Sequence, residues 1–113
     1  MRIAIPLQDG RLSAHFGRCE AYAFLDVDDG GREITAQKVV ESPPHQPGVL
    51  PAWVSENGAD VVITGGMGPR AVQLFQERGV DVVLGAPALE PEAVASAYLE
   101  GKLTTTDNTC DHD

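Results

Sequence analysis

Two stretches of this chain leave little choice of architecture: Asp60-Val61-Val62-Ile63-Thr64 and Asp81-Val82-Val83-Leu84-Gly85. Each is a short, continuous apolar run bounded by an acidic residue and a turn signal. A strand with one face in water alternates polar and apolar residues, whereas a run without alternation belongs to a strand covered on both faces, as in a parallel sheet flanked by helices. The segments that follow agree. Gly65-Gly66-Met67-Gly68-Pro69 leads into Ala71, Val72, Leu74 and Phe75 at helical spacing, with Gly79 as the stop. Pro91 suits the first turn of a last helix that carries Val94, Ala97 and Tyr98 on one face before Gly101.

The first half has a different rhythm. Arg2 to Leu7 reads as a strand that Pro6 brings to an end, and Tyr22 to Val27 as a second. Asp28-Asp29-Gly30-Gly31 turns the chain into a third, Glu33 to Val40, which makes a hairpin. Prolines in Ser42-Pro43-Pro44-His45-Gln46-Pro47-Gly48 forbid regular pairing. Val49 to Asn57 places Leu50, Trp53 and Val54 at helical spacing and stops at Gly58. The order β-β-β-α-β-α-β-α predicts an α/β protein: a mixed five-stranded sheet in a three-layer α/β/α sandwich. Residues 1–103 form one domain in this reading and 104–113 a polar Cys/His-containing tail, with no internal repeat.

Composition narrows the partners. With 113 residues the chain supports one hydrophobic core without disulfide staples. Its 17 acidic and 8 basic residues give a net charge of −9, which repels a phosphate backbone and an anionic membrane surface; nucleic acid and membrane are not expected partners. No stretch approaches the roughly 20 apolar residues that span a bilayer. The N-terminus, MRIAIPLQDG, offers no signal-peptide core, so the expected location is the cytoplasm. In that reducing compartment two distant thiols point to metal binding or reactivity rather than to a disulfide.

Every residue able to make a soft metal site lies outside the apolar runs. His15 and Cys19 follow the first strand, His45 sits among prolines, and Cys110 and His112 close the chain. Imidazole and thiolate suit iron, zinc and iron–sulfur species. His15 is a candidate ligand because ligands of open α/β sheets bind beyond the carboxyl ends of the parallel strands; it could equally cap its own loop. Cys19, four residues on, can chelate with His15 in a folded-back loop, or be a half-buried thiol at the start of the second strand. His45 gains from a rigid segment, which serves a ligand or a plain connector alike. Cys110 and His112 supply two ligands, too few to close a tetrahedral site, so they would need His15, Cys19, His45 or exogenous sulfide; a polar tail with unrelated residues is the competing view. Arg18 could pair with an anionic cluster or with a surface carboxylate. The Gly65-Gly66-Met67-Gly68 turn brings backbone N–H groups to a helix N-terminus, where negative charge is favoured, and Met67 adds a thioether that more often simply packs. The turn lacks the Lys and Ser/Thr of a phosphate loop.

HFGRCEAY at His15–Tyr22, GGMGPRAVQLF at Gly65–Phe75 and the terminal NTCDH together resemble the dinitrogenase iron–molybdenum cofactor family over nearly the whole chain. That resemblance implies a ribonuclease-H-like α/β/α fold that binds an iron–sulfur or iron–molybdenum-type cluster, or its precursor, without performing chemistry on it. Cys19 departs from the family, where a small apolar residue is common at that place, and the Cys110-Asp111-His112 ending resembles one branch of short, stand-alone members. The expectation is a non-enzymatic carrier that hands its cluster to assembly or recipient proteins, as a monomer or a cluster-bridged homodimer. His15, Cys19, His45, Cys110 and His112 would be its metal ligands, with Arg18 and Gly65–Gly68 offsetting the cluster's charge. Two other readings compete: a metal-free regulatory or protein-binding module, and a two-metal nuclease. The nuclease is disfavoured because Asp60 and Asp81 begin their strands, at the edge opposite the expected site.

Overall fold

A computed structural model describes residues 1–16, 19–43, 49–103 and 105. The strands are β1 (Arg2–Gln8), β2 (Arg11–Leu12), β3 (Ala21–Val27), β4 (Ile34–Glu41), β5 (Val61–Ile63) and β6 (Asp81–Val83), and the helices α1 (Val49–Glu56), α2 (Pro69–Glu77) and α3 (Pro91–Leu99). They build one mixed sheet in the order β4-β3-β1-β5-β6, with β2 added to β1. β1 pairs antiparallel with β3 and parallel with β5, and β5 pairs parallel with β6. The α/β class and mixed sheet are those predicted, with one strand more.

That extra strand is a two-residue arm of a tight hairpin. Leu7 and Gln8 pair with Leu12 and Arg11 across Asp9-Gly10, whose φ values of 55° and 79° are both positive. A two-residue turn with two left-handed residues matches the twist of its strands, and Asp-Gly supplies such residues at low cost. Pro6 does not end β1, contrary to the sequence reading. It lies where the ladder to β5 ends, after Ala4, and the ladder to β2 begins, at Leu7. Its missing N–H therefore costs no ladder bond, while its carbonyl accepts from Ser13 N at 2.8 Å.

Alternation along β1 and β3 sends side chains into two cores. Ile3, Ile5, Leu25, Ile63, Val94 and Ala95 pack on the face covered by α3. Ala4, Phe24, Leu50, Val54, Val62 and Phe75 pack on the face covered by α1 and α2. The sheet is thus the middle of three layers.

At the N-terminal edge of β1, Arg2 is tied down. Its Nε and Nη2 donate to Asp26 at 2.6 and 3.3 Å and its Nη1 to Asn57 O at 2.6 Å, while its backbone N donates to Asp60 Oδ2 at 2.8 Å. The guanidinium holds the Asp26 carboxyl below the usual range. Asp26 and Asp60 are thereby occupied in clamping this edge, away from the loops that follow the parallel strands. No helix among the described residues is long and apolar enough to cross a membrane.

Candidate functional site

At the carboxyl ends of β1 and β5, three chain segments are joined through their backbones. After β2 the chain runs beside the end of β5. Gly65 N donates to Ser13 O at 3.2 Å, and Phe16 N donates to Gly66 O at 2.9 Å. The buried Thr64 hydroxyl lies 3.3 Å from Ser13 O and 3.4 Å from Gly66 O, so it can donate to either side of the same seam. From the other flank, Gly85 N donates to Gly65 O and Ala86 N to Thr64 O.

Gly65 permits this closeness. A Cβ placed on it would lie 2.8 Å from Ala14 Cα and 3.1 Å from Ala14 O, both backbone atoms that cannot rotate aside. Within the loop, the buried Ser13 hydroxyl lies 2.9 Å from His15 O, to which it donates, and accepts from His15 N at 3.2 Å. Phe16 then turns inward. Its ring meets Tyr22 at 5.6 Å and Phe75 at 5.4 Å between centroids, both edge-on. Its carbonyl accepts from the Tyr22 hydroxyl at 3.2 Å and the Cys19 thiol at 3.4 Å. Burial pushes both the Cys19 thiol and the Tyr22 phenol up. For Cys19 the hydroxyls of Tyr22 and Ser42 partly offset that, and for Tyr22 the neighbouring thiol adds to it.

This backbone seam between a His-Phe loop and a Gly-Gly-Met-Gly turn coincides with a family assignment. Residues 1–101 match the family model described as dinitrogenase iron-molybdenum cofactor. The chain belongs to that family. MJ0580 of Methanocaldococcus jannaschii is 33% identical over 108 residues, 91% of this chain and 89% of its own. The crystal structure of PH0822 shares 34% identity and a TM-score of 0.88, with 99% and 100% of the two chains covered. The apo form of the orange protein from Desulfovibrio gigas shares 26% identity and a TM-score of 0.71, covering 95% of this chain and 93% of that one.

Within this family member the candidate ligands have unequal surroundings. His15 is exposed at the sheet edge. Cys19 is not: it packs against the core under α1 and α2, although the sequence shows no apolar run around it. Met67 is buried in the same core. Arg18, His45, Cys110 and His112 lie outside the described residues. Among the described residues no group of three or more His, Cys, Asp or Glu could hold a metal ion. Reading the sequence missed Ser13, Phe16 and Thr64 as the residues that shape this edge. Phe16 carried a signal, since a large aromatic in an otherwise polar loop is usually an anchor. Ser13 and Thr64 carried none, because their partners lie on segments remote in sequence.

Cys19 gives a direct check of these surroundings. In a Cys110→Ser background, alkylation of the remaining thiol at pH 8 is expected to run about tenfold or more slower than that of free cysteine, because the thiolate is the reactive form and burial disfavours it. Alkylation at the rate of free cysteine would place Cys19 in an open, ligand-ready pocket instead.

Proposed function

We propose that the protein is a small carrier that binds an iron–sulfur or iron–molybdenum-type cluster, or its precursor, and passes it to an assembly partner without making or breaking bonds in the cluster. The observation that carries this reading is the backbone seam that pins the His15 loop onto the Gly65–Gly66 turn at the carboxyl edge of the parallel strands. Ligands of open α/β sheets sit at that edge. Family membership supports a cofactor role, and the orange protein is a structural neighbour at 26% identity.

The described residues do not supply a ligand set by themselves. His15 would offer an exposed imidazole, and the remaining ligands would come from His45, Cys110 and His112 or from the cluster's own sulfide. Gly65 N is committed to Ser13 O, so any amides that offset an anion's charge would come from the residues after it, towards the start of α2. A bound cluster would be cargo, held by few protein bonds and therefore releasable. Cys19, turned into the core, is less suited than the exposed His15.

The alternative that the sequence also offers is a metal-free protein-binding module of this fold. One experiment separates the two. Anaerobic reconstitution followed by iron, molybdenum and sulfide analysis and a visible spectrum is expected to show metal uptake with charge-transfer absorption. His15→Ala and Cys110→Ser should each reduce retention about tenfold or more, since even the partners that orient a ligand are worth that much. His15→Ala should leave apo stability within roughly 1 kcal/mol, as for an exposed position. A colourless protein that takes up neither iron nor sulfide would leave the binding module standing; full retention in both variants would remove these ligands.

A further inference from the structure

The α3 face of the sheet carries a second feature, separate from the loops above. An open groove of about 510 Å³ runs between the Asp9-Gly10 turn, the start of α3 and the outer strand β4. Gln37 and Val39 form its sheet side. They stand opposite Leu25 and Ala23, residues of the α3-side core, and so face the same way. Val39 is 58% exposed, a large apolar side chain left in water beside a concave surface. The rim is acidic: Asp9, Glu90 and Glu92 stand against Arg11 alone. None of the four belongs to an ion pair among the described residues, where the pairs are Arg2–Asp26 and Lys102–Glu100.

β4 also ends the sheet. It is eight residues long and, among the described residues, its outer edge has no neighbouring strand. Proteins usually blunt such an edge with short strands, prolines or charged side chains, especially lysines. Here the strand is long and contains no proline, and its one lysine is drawn aside: Lys38 Nζ lies 5.9 Å from the Phe24 ring centroid, on the α1–α2 face. Edge, exposed apolar residue and acidic rim thus fall together on one side of the molecule.

We propose that this surface receives an extended basic segment of a partner protein as an added strand on β4. Main-chain bonds along Ile34–Glu41 would give affinity, and an apolar side chain would lie against Val39. Lys or Arg two residues to either side would share that face and reach the carboxylates of Asp9, Glu90 and Glu92. Charge selects this occupant over two others. A second copy of the chain carries a net −9 and the same three carboxylates. Residues 104–113 carry Asp107, Asp111 and Asp113 with no Lys or Arg. The inference concerns the apo protein and does not rest on the cluster reading.

The test uses the full chain, isotope-labelled, with a synthetic peptide repeating Lys-Thr-Val-Thr and a control peptide in which the threonines are prolines. Amide shifts on titration are expected to concentrate in β4 and around Glu90–Glu92. Affinity should fall about tenfold in the Glu90→Gln/Glu92→Gln variant and by a similar factor in Val39→Ser, and should weaken as ionic strength rises past about 0.1 M. The proline peptide, which loses every second N–H and is held out of regular strand pairing, should bind about tenfold more weakly or worse. Equal binding of both peptides, or shifts spread evenly over the acidic surface, would overturn the proposal. So would β4 shifts that depend on protein concentration alone, which would assign the edge to a second copy. So too would β4 shifts caused by deleting residues 104–113 with no response to peptide, which would assign it to the tail.

Discussion

Phe16→Ala lowers the stability of the apo protein by about 3–5 kcal/mol, the loss expected when a fully packed phenylalanine is removed from a core. The residue is 4% exposed and its ring contacts the edges of Tyr22 and Phe75, so its removal opens a void between β3 and α2. The backbone bonds at this residue need no side chain: Phe16 N to Gly66 O, and Tyr22 Oη and Cys19 Sγ to Phe16 O. They hold only while the ring fixes the loop at that depth, however, so the variant should also release the seam. Chemical denaturation reads the first effect as a lower midpoint at unchanged slope. Faster hydrogen exchange at the Gly65 amide reads the second. Because 3–5 kcal/mol is a large share of the stability of a domain this size, Phe16→Leu serves as a milder companion that keeps the fold. A loss under about 1 kcal/mol with an undisturbed seam would mean that the ring anchors nothing.

The second large effect is steric. Gly65→Ala should cost about 1–3 kcal/mol, the range for overpacking a filled interior. The new methyl would meet Ala14 Cα at 2.8 Å, and neither backbone can yield without breaking Gly65 N–Ser13 O or Phe16 N–Gly66 O. Gly30 provides the control. Its backbone is not left-handed, and a Cβ there would meet nothing nearer than Asp28 Oδ1 at 3.8 Å. Gly30→Ala should therefore be neutral or slightly stabilising, through the restricted unfolded chain. Amide shifts at Ser13, His15 and Phe16 should move in Gly65→Ala and stay in place in Gly30→Ala. Equal stability of the two variants would show that the seam tolerates a side chain.

The layered architecture was legible because burial on both faces leaves its mark on every residue of a strand: Val61, Val62 and Ile63 can only be an interior strand, and all three are buried. The hairpin of β3 and β4 was legible from its turn, where Asp28 Oδ1 accepts from Arg32 N and Glu33 N. The β1–β2 hairpin was overlooked although Asp9-Gly10 is a strong signal, because a two-residue arm is too short to show a period. Pro6 misled because a proline's cost depends on whether a partner sits opposite its nitrogen, which only the sheet order decides. The surroundings of Cys19 were hidden for a related reason. The apolar residues around it, Phe16 and Tyr22 among them, meet only once the loop folds back. At the site, glycines at 65 and 66 announced a tight turn, but not that the first of them makes room for Ala14, fifty-one positions earlier. Such clearances belong to tertiary structure.

The aromatic rings under α1 and α2 form a continuous series with an optical use. Between ring centroids Trp53, the one tryptophan in the chain, lies 5.3 Å from Tyr22 in a tilted contact and 5.7 Å from Phe24 edge-on. Tyr22 in turn touches the Phe16 ring and donates to its carbonyl. One residue, Tyr22, therefore separates the indole from the loop that presents His15, on a path of direct contacts. The indole emission gives the protein an intrinsic fluorophore in contact, through Tyr22, with that loop, so the loading and release proposed for the sheet edge would be read in the native chain without an attached dye.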